Sequence, residues 1–233
     1  MIHFLPLLAV LLVPARALES GAPAVRAVEK ASAVSAARKR APAIPKEFLP
    51  LPLVEQETDY SCGPASLLSV LRYWRAFEGT ERDLYGPLDT TPKDGTEPQK
   101  LVEVAARHGL SAEMREGMGV SDLRDALKRG DTVIVDFQAW REEGAPRLPW
   151  EEVWEDGHYS VLAAMDAKHA YFMDPVAEGA YAYMPLDELP KRWHDYEDRH
   201  GTVNRSFQLG VIIRGKTPIE APSKPPARPI RLK

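Results

Sequence analysis

The chain has 233 residues, which is enough for one well-buried domain or two small ones. Its 30 Lys and Arg residues against 34 Asp and Glu give a formal net charge of -4, which argues against nucleic acid as a partner because nucleic-acid-binding proteins usually present a basic face. The apolar content of 44% is ordinary for a globular protein, and one cysteine excludes an internal disulfide.

The N-terminus is typical of a secretory signal. Phe4 to Val13 are predominantly apolar, and Ala15-Arg16-Ala17 supplies the small residues of a cleavage site, although Lys and Arg are missing before the apolar run. We therefore predict a signal peptide over residues 1–17 and export to the periplasm or the outside of the cell. The apolar run is shorter than the roughly 20 residues that span a bilayer, so we expect no stable membrane insertion of the mature chain.

Two segments flank the predicted core. Residues 18–47 are rich in Ala, Pro and Arg and have few large side chains, which predicts a disordered linker. Residues 216–233 are rich in Pro, Lys and Arg, which predicts an extended, unpacked and disordered tail. The folded domain is therefore expected over residues 48–215, and it contains no internal repeat.

Three helices are predicted at the start of the core. Pro64 suits the first turn of a helix, where its missing N–H is not needed. Thr96 and Gln99 resemble a capping box at the start of the second helix, and Ser121 is a candidate cap for the third. The helices are predicted over residues 64–74, 96–109 and 121–130, the last two ending at glycines.

Strands dominate the second half of the core. Runs of apolar and β-branched residues predict strands over 132–137, 158–165, 170–173, 180–184 and 207–213, with a short helix between 186 and 193. Helices followed by strands predict an α+β fold in which a helical layer packs on an antiparallel sheet. Residues 139–157 lack periodicity and are either a functional lid or binding loop, or a solvated insertion.

Cys62 is a candidate nucleophile. It directly precedes Gly63-Pro64 at the N-terminal edge of the first predicted helix, where backbone N–H groups favour a thiolate and can donate to an oxyanion. The helix dipole stabilises a thiolate by only about 0.3–1 kcal/mol, which lowers the pKa of the thiol by less than one unit. A thiolate at neutral pH therefore also needs a nearby imidazolium. The alternative is an inert buried cysteine.

His158 is the best candidate for the base. It follows Asp156-Gly157 and begins an apolar strand, so its ring is expected to be rigidly placed. The alternative is a histidine packed at a strand edge. The remaining histidines are predicted to lie in a signal peptide, at a helix end, in a hairpin turn and in a charged, exposed segment (His3, His108, His169, and His194 with His200).

Asp174 and Gln56 complete the candidate set. If strands 158–165 and 170–173 form a hairpin, Asp174 lies close to His158 and can accept a hydrogen bond from the imidazole; alternatively, Asp174-Pro175 simply opens a turn. Gln56 lies six residues before Cys62, from where its amide could donate to an oxyanion. A surface position is the other possibility for Gln56.

These motifs resemble those of the double-glycine (bacteriocin-processing) peptidase family, papain-like cysteine peptidases often found as the N-terminal domain of export ABC transporters. The resemblance rests on residues 56–66 (Gln-Glu-Thr-Asp-Tyr-Ser-Cys-Gly-Pro-Ala-Ser), 157–161 (Gly-His-Tyr-Ser-Val) and 174–175 (Asp-Pro), and it covers about residues 50–215. It implies a papain-like fold that needs no cofactor or metal. The roles it implies are nucleophile, base, orienting carboxylate and oxyanion donor (Cys62, His158, Asp174 and Gln56).

The sequence also departs from that family. No transporter or ATPase segment follows in the sequence, and the predicted export contrasts with transporter-fused members, which face the cytoplasm. The leader-peptide substrate of the family therefore does not carry over directly. We expect an exported, monomeric cysteine peptidase that hydrolyses a peptide or protein through a Cys-His-Asp triad and a thioester acyl-enzyme. The alternatives are a cysteine amidase or acyltransferase on the same fold, or a non-catalytic peptide-binding module.

Overall fold

The computed structural model describes residues 41–141, 147–177, 179–199, 202–223 and 226–232; the predicted signal peptide and residues 18–40 lie outside them. The helices are α1 (Cys62–Tyr73), α2 (Arg82–Tyr85), α3 (Pro98–Arg107), α4 (Val120–Arg129) and α5 (Leu189–Arg192), with a 3-10 turn at Trp150–Glu152. The strands are β1 (Ser111–Arg115), β2 (Thr132–Gln138), β3 (Gly157–Met165), β4 (His169–Met173), β5 (Tyr181–Pro185), β6 (His194–Arg199), β7 (Thr202–Phe207), β8 (Gly210–Arg214) and β9 (Ile230–Arg231).

Seven of the described strands form one sheet in the order β1-β8-β2-β3-β4-β5-β9. Every neighbouring pair is antiparallel except β5 and β9, which run parallel. The central strands β2 and β3 are long and almost wholly buried, and they pair from Val133↔Leu162 to Gln138↔Gly157. The predicted α+β fold with an antiparallel sheet is confirmed.

Side-chain alternation along the strands gives the sheet two apolar faces. One face packs against α1 and α3, where Leu67, Leu71 and Leu101 are fully buried with Val161. The opposite face packs against α4 and α5, around Phe137 and other fully buried side chains (Leu123, Ala126, Phe172 and Trp193). The predicted helical layer is therefore present on one face, and a smaller helical layer covers the other.

The tail of the chain differs from the prediction. Residues 216–233 were expected to be unpacked, but Ile230 and Arg231 add strand β9 to the edge of the sheet, and the Leu232 N–H donates to Tyr183 O at 2.9 Å. Arg228 donates to Ala41 O at 2.5 Å, so the two ends of the described chain touch. Prolines before residue 230 do not prevent this, because the few residues after them still donate and accept sheet hydrogen bonds.

The segment after α5 is also more ordered than its charged sequence indicated. Residues 194–199 and 202–207 form the antiparallel hairpin β6–β7, and His194 at its start is buried rather than exposed. The predicted strand 207–213 is two strands, because Gln208 adopts a φ of 53° and turns the chain between them. β1 was not predicted, since its residues are mostly exposed and polar.

Several local details were predicted wrongly. The first helix begins at Cys62 itself rather than at Pro64. Glu97, not Thr96, is the N-cap of α3. Gly119, not Ser121, is the N-cap of α4, and its N–H donates to Asp122 at 2.7 Å. His169 begins strand β4 rather than lying in the turn. Within the described residues, no helix has both the length and the apolarity to cross a bilayer.

Candidate active site

Cys62 is the first residue of α1, and its side chain is half-buried at the surface of the apolar layer. The first hydrogen bond of the helix joins the Ala65 N–H to Ser61 O at 3.0 Å. The N–H groups of Cys62 and Gly63 come before this bond and have no partner inside the helix. N–H groups at a helix start favour negative charge nearby, here on the sulfur.

Gly63 allows a close approach at this helix end. A Cβ atom on Gly63 would lie 2.6 Å from the side chain of Thr96, closer than real contacts permit. The carbonyl of Thr96 in turn accepts a 3.0 Å hydrogen bond from the Tyr159 hydroxyl on β3. The glycine after the cysteine therefore lets the loop before α3 pack tightly against the start of α1.

His158 lies on β3, and its Nε2 atom is 3.1 Å from Oδ2 of Asp174. Both side chains are almost completely buried. The β3–β4 hairpin produces this contact, because the two strands pair antiparallel up to Val161↔Met173 and Asp174 is the residue that follows β4. The structure places these two predicted residues together.

His158 also interacts electrostatically with Cys62. Burial of the imidazole favours its neutral form and so lowers its pKa. The charge of Asp174 and its hydrogen bond raise the pKa, and Cys62 adds a smaller effect in the same direction. Together they raise the pKa of His158 to about 10. At neutral pH the imidazolium is therefore the stable form of His158, stabilised chiefly by the Asp174 carboxylate.

Asp174 is held in its ionised form by several donors. Its Oδ2 atom accepts a 2.6 Å hydrogen bond from Ser160 Oγ, and its Oδ1 atom accepts a 2.9 Å hydrogen bond from the Val176 N–H. Burial raises the pKa of Asp174, but His158, Ser160 and Val176 lower it, and the net shift is downward.

Ser160 was not predicted as a site residue. It could have been found, because alternation along a strand puts residues 158 and 160 on one face.

Gln56 lies on the loop that enters α1. Its backbone N–H donates to Pro175 O at 3.1 Å, next to Asp174, and its Nε2 atom donates to Thr58 O at 2.7 Å. The Oε1 atom of Gln56 is buried and makes no hydrogen bond with a described group. The loop thus links the residue after Asp174 to the start of α1.

The buried carboxylate of Glu81 fixes this loop from the other side. It accepts the Glu57 N–H at 3.1 Å and the Tyr85 hydroxyl at 2.8 Å. Since Glu57 directly follows Gln56, Glu81 anchors the backbone that carries the candidate oxyanion donor.

The indole of Trp140 packs against the ring of His158. The centroids of the two rings are 5.0 Å apart, and Trp140 is 36% exposed. Arg192 fixes the backbone before it, because the buried guanidinium donates to Gln138 O at 2.8 Å and to Ala139 O. The first part of segment 139–157, predicted to be either a functional loop or a solvated insertion, therefore contributes a side chain to the site, which sequence analysis did not assign.

A pair of carboxyl groups lies beside this centre. Asp136 on β2 hydrogen bonds to Asp195 on β6, and Asp136 also experiences the charges of Cys62 and Glu197. Burial raises the pKa of Asp136 well above its usual range, and the charge of Asp195 raises it further. Burial also raises the pKa of Asp195, although its hydrogen bonds oppose that shift. The pair therefore favours a form that keeps a proton.

Sequence analysis missed this pair. The one signal was an aspartate inside an otherwise apolar strand, where a charged residue is rarely buried without a partner. Its partner Asp195 belongs to a hairpin that the sequence did not predict. In the described part of the chain, no cluster of three or more His, Cys, Asp and Glu side chains has the arrangement of a metal site.

Comparison with known proteins gives a consistent result. The model of the Peptidase_C39 like family matches residues 48–200. A C39-like peptidase from Bacillus anthracis has a TM-score of 0.53 at 15% identity, covering 76% of this chain and 99% of that chain. No match was found among curated proteins.

Two further solved structures share the fold. The double-glycine motif protease from an AMS/PCAT transporter, in complex with the leader peptide, has a TM-score of 0.50 at 18% identity and covers 75% of this chain and 98% of that chain. The peptidase domain of Streptococcus ComA, a bi-functional ABC transporter of a quorum-sensing pathway, has a TM-score of 0.50 at 19% identity. The match covers 70% of this chain and 98% of that chain. Since the family model spans well over half of the chain and the solved structures share its papain-like fold, this protein belongs to the Peptidase_C39 like family, as its motifs predicted.

Proposed function

We propose that this protein is a cysteine peptidase that cleaves peptide bonds with Cys62 as nucleophile, His158 as acid and base, and Asp174 as the orienting carboxylate. The observation that carries the proposal is the buried imidazole of His158, whose Nε2 atom lies 3.1 Å from the Asp174 carboxylate and which also interacts electrostatically with Cys62. A side chain that had only a packing role would not need both interactions. The fold and family, shared with peptidases, support the same chemistry.

The reaction begins from the thiolate–imidazolium pair. The Cys62 sulfur attacks the carbonyl carbon of the scissile bond, and the oxygen becomes an oxyanion. The N–H of Cys62 and the side-chain amide of Gln56 are the donors proposed for that oxyanion, with one Gln56 hydrogen already committed to Thr58 O. Preorganised donors of this kind stabilise the transition state because they need no reorganisation as charge develops.

Two proton transfers through His158 complete the cycle. The imidazolium gives its proton to the leaving amine as the C–N bond breaks, and a thioester to Cys62 remains. The neutral imidazole then takes a proton from water, whose oxygen attacks the thioester carbon and releases the acid and the thiolate. Asp174 keeps the ring oriented and stabilises the imidazolium throughout.

The substrate is proposed to be a peptide or protein segment, since one relative of the same fold was solved with a leader peptide bound. We further propose that the protein acts after export. Residues 1–17, on which export rests, lie outside the described residues.

Alkylation with iodoacetamide tests the thiolate–imidazolium pair, and it is unambiguous because the chain has one cysteine. Intact-mass spectrometry should show one adduct that forms much faster than on the urea-unfolded chain, and His158→Ala should slow it. His169→Ala is the matched control, since His169 lies on β4 away from the dyad and should leave the rate unchanged. A native rate equal to that of the unfolded chain would overturn the proposal.

Amide hydrolysis is the second requirement. Peptide substrates incubated with the wild type should yield a free acid at the cleaved carbonyl, and Cys62→Ala should abolish product. A product that carries an added amine in place of water would identify an acyltransferase instead.

A further inference from the structure

Arg192 on α5 is completely buried, and all three nitrogens of its guanidinium donate to an acceptor. Nε donates to Gln138 O at 2.8 Å, one terminal nitrogen donates to Ala139 O, and the other donates to the Glu188 carboxylate at 3.3 Å. Burial lowers the pKa of Arg192 to about 10, so the side chain is still a cation at neutral pH. A buried cation is costly unless its donors are satisfied in this way. Lysine has a single nitrogen and could not reach all three acceptors.

The two backbone contacts fall where β2 loses a partner strand. β2 pairs with β8 only up to Val135, whereas its pairing with β3 continues to Gln138. The last residues of β2 therefore have a strand of this sheet on one side only, and Arg192 binds the carbonyls of Gln138 and Ala139 instead. Because Trp140 directly follows Ala139, the direction in which the chain leaves β2 decides where the indole lies.

Arg192 is also tied to the residue on the other side of Trp140. The guanidinium carbon of Arg192 lies 4.0 Å from the ring centroid of Trp150, and that of Arg141 lies 3.9 Å from the same centroid. Guanidinium groups bind aromatic rings by cation–π attraction. Since Arg141 directly follows Trp140, the residues on both sides of this indole are linked to Arg192. One link is a hydrogen bond, and the other runs through Trp150.

The C-terminal strand contacts Arg192 through Glu188. One carboxylate oxygen of Glu188 accepts from Arg192, and the other accepts from Arg231 at 2.5 Å. Arg231 belongs to β9, where it pairs with Tyr183 of β5. The single carboxylate therefore joins a strand near the end of the chain to the side chain that fixes the end of β2.

We propose that Arg192 is a positioning residue for hydrolysis, which holds the indole of Trp140 against the ring of His158. The inference rests on the proposed function, in which His158 is the acid and base. The two ring centroids are 5.0 Å apart, and an indole at this distance limits the water that reaches the imidazole. Less water strengthens the interaction of the imidazolium with its carboxylate partner. The ion pairs of Glu188 with Arg192 and Arg231 make β9 part of the same arrangement.

NMR of the histidine rings tests this contact without a substrate. The ring current of the indole shifts the Hδ2 and Hε1 resonances of His158, which are assigned by their loss in His158→Asn. Trp140→Ala should remove that shift. Arg192→Lys keeps the charge but has one nitrogen in place of three, so it should move the resonances most of the way to their positions in Trp140→Ala. Lys191→Gln, at an exposed neighbouring position on α5, should leave them unchanged.

A double variant shows whether Arg192 acts through Trp140. In a Trp140→Ala background, Arg192→Lys should move the His158 resonances no further. Hydrolysis of a fluorogenic peptide should follow the same pattern, because Arg192→Lys should lower kcat/KM several-fold in the wild type and much less in Trp140→Ala. An effect that persists in full in the Trp140→Ala background would overturn the proposal. It would indicate another route, such as the ring of Phe137, which lies near both Arg192 and His158.

Two further variants repeat the test at partly exposed positions, where folding is less at risk than at the buried Arg192. Glu188→Gln and Arg231→Gln should each move the His158 resonances in the same direction by a smaller amount. Wild-type resonances in folded Arg192→Lys, or in both of these variants if Arg192→Lys does not fold, would overturn the proposal. If the resonances respond as expected but the wild type leaves every peptide intact, the peptidase proposal alone is overturned.

Discussion

Ser160 Oγ donates a 2.6 Å hydrogen bond to Asp174 Oδ2, the same oxygen that lies 3.1 Å from His158 Nε2. One carboxylate oxygen thus joins a hydroxyl and an imidazole that are two residues apart on the same strand. Because the hydroxyl donates to the ionised carboxylate, it favours the charged form of Asp174 and, through it, the imidazolium. This arrangement makes Ser160 a positioning residue rather than a catalytic one.

The first prediction concerns that hydroxyl. Ser160→Ala should raise the pKa of Asp174, so the acid limb of the Cys62 alkylation rate should move to higher pH, with a loss of stability of about 1 kcal/mol. The measurement is the iodoacetamide rate between pH 3 and 7. Ser66→Ala is the control, since it removes a buried hydroxyl that donates to Tyr159 O at 3.0 Å and does not contact the dyad. An acid limb at the same pH in both variants would contradict the role of Ser160.

The second prediction concerns stability as a function of pH. The folded-state pKa of His158 is raised to about 10 from an ordinary value of 6.5. Its contribution to the free energy of unfolding is therefore fully present below about pH 6.5 and is lost as the pH rises through about 10. Urea unfolding at pH 6 and pH 10 should show a larger loss in the wild type than in His158→Asn, by on the order of 1 kcal/mol or more.

The contribution of Asp174 to stability depends on pH in the opposite direction. Its folded-state pKa is lowered, so its contribution is present above the ordinary aspartate range and is lost as the pH falls below it. Asp174→Asn should therefore flatten the acid side of the stability curve and leave the protein less stable at neutral pH.

If the wild type and His158→Asn lost the same stability between pH 6 and pH 10, the ion pair of His158 and Asp174 would be wrong.

The two parts of the site differed in how well the sequence could predict them. His158 and Asp174 are close in sequence and joined by a short hairpin, so strand pairing alone brings them together. Cys62 comes from the other half of the domain, and its motif rather than any local rule indicated its partner. Asp136 and Asp195 could not be paired, because the strand that carries Asp195 is polar, without the apolar alternation that predicts strands.

The third prediction concerns Gln56. Gln56→Ala should reduce kcat/KM for peptide hydrolysis by about 10²- to 10³-fold, because it removes an oxyanion donor. The iodoacetamide rate should change little, since alkylation forms no oxyanion. Gln99→Ala, on the exposed surface of α3, should alter neither rate. A parallel loss of hydrolysis and alkylation would instead mean that Gln56 supports the position of Cys62.

The fourth prediction concerns Trp140, which lies over His158. Trp140→Ala should admit water to the imidazole, weaken its interaction with Asp174 and lower the pKa of His158 toward its ordinary value. The alkaline limb of kcat/KM for peptide hydrolysis, which needs the imidazolium, should then begin at lower pH, and kcat/KM should fall about tenfold. Trp140→Phe keeps an aromatic ring and should retain most of the activity. Identical pH profiles for the two variants would show that the indole does not shield the dyad.

The fifth prediction concerns Gly157, whose missing side chain leaves room for Asp195. Gly157→Ala places a Cβ atom 2.0 Å from the carboxylate, which Gln138 also holds, so β3 or the hairpin β6–β7 must shift. Overpacking of this kind destabilises by about 1–3 kcal/mol. Gly86→Ala is the control, because that glycine has a φ of -63° and no atom within 4 Å of an added Cβ. Thermal unfolding should show a lower Tm for Gly157→Ala only, and Asp195→Ala in the same chain should restore part of the loss. If the double variant were no more stable than Gly157→Ala, the clash would lie elsewhere and the close packing of Asp195 on Gly157 would be disproved.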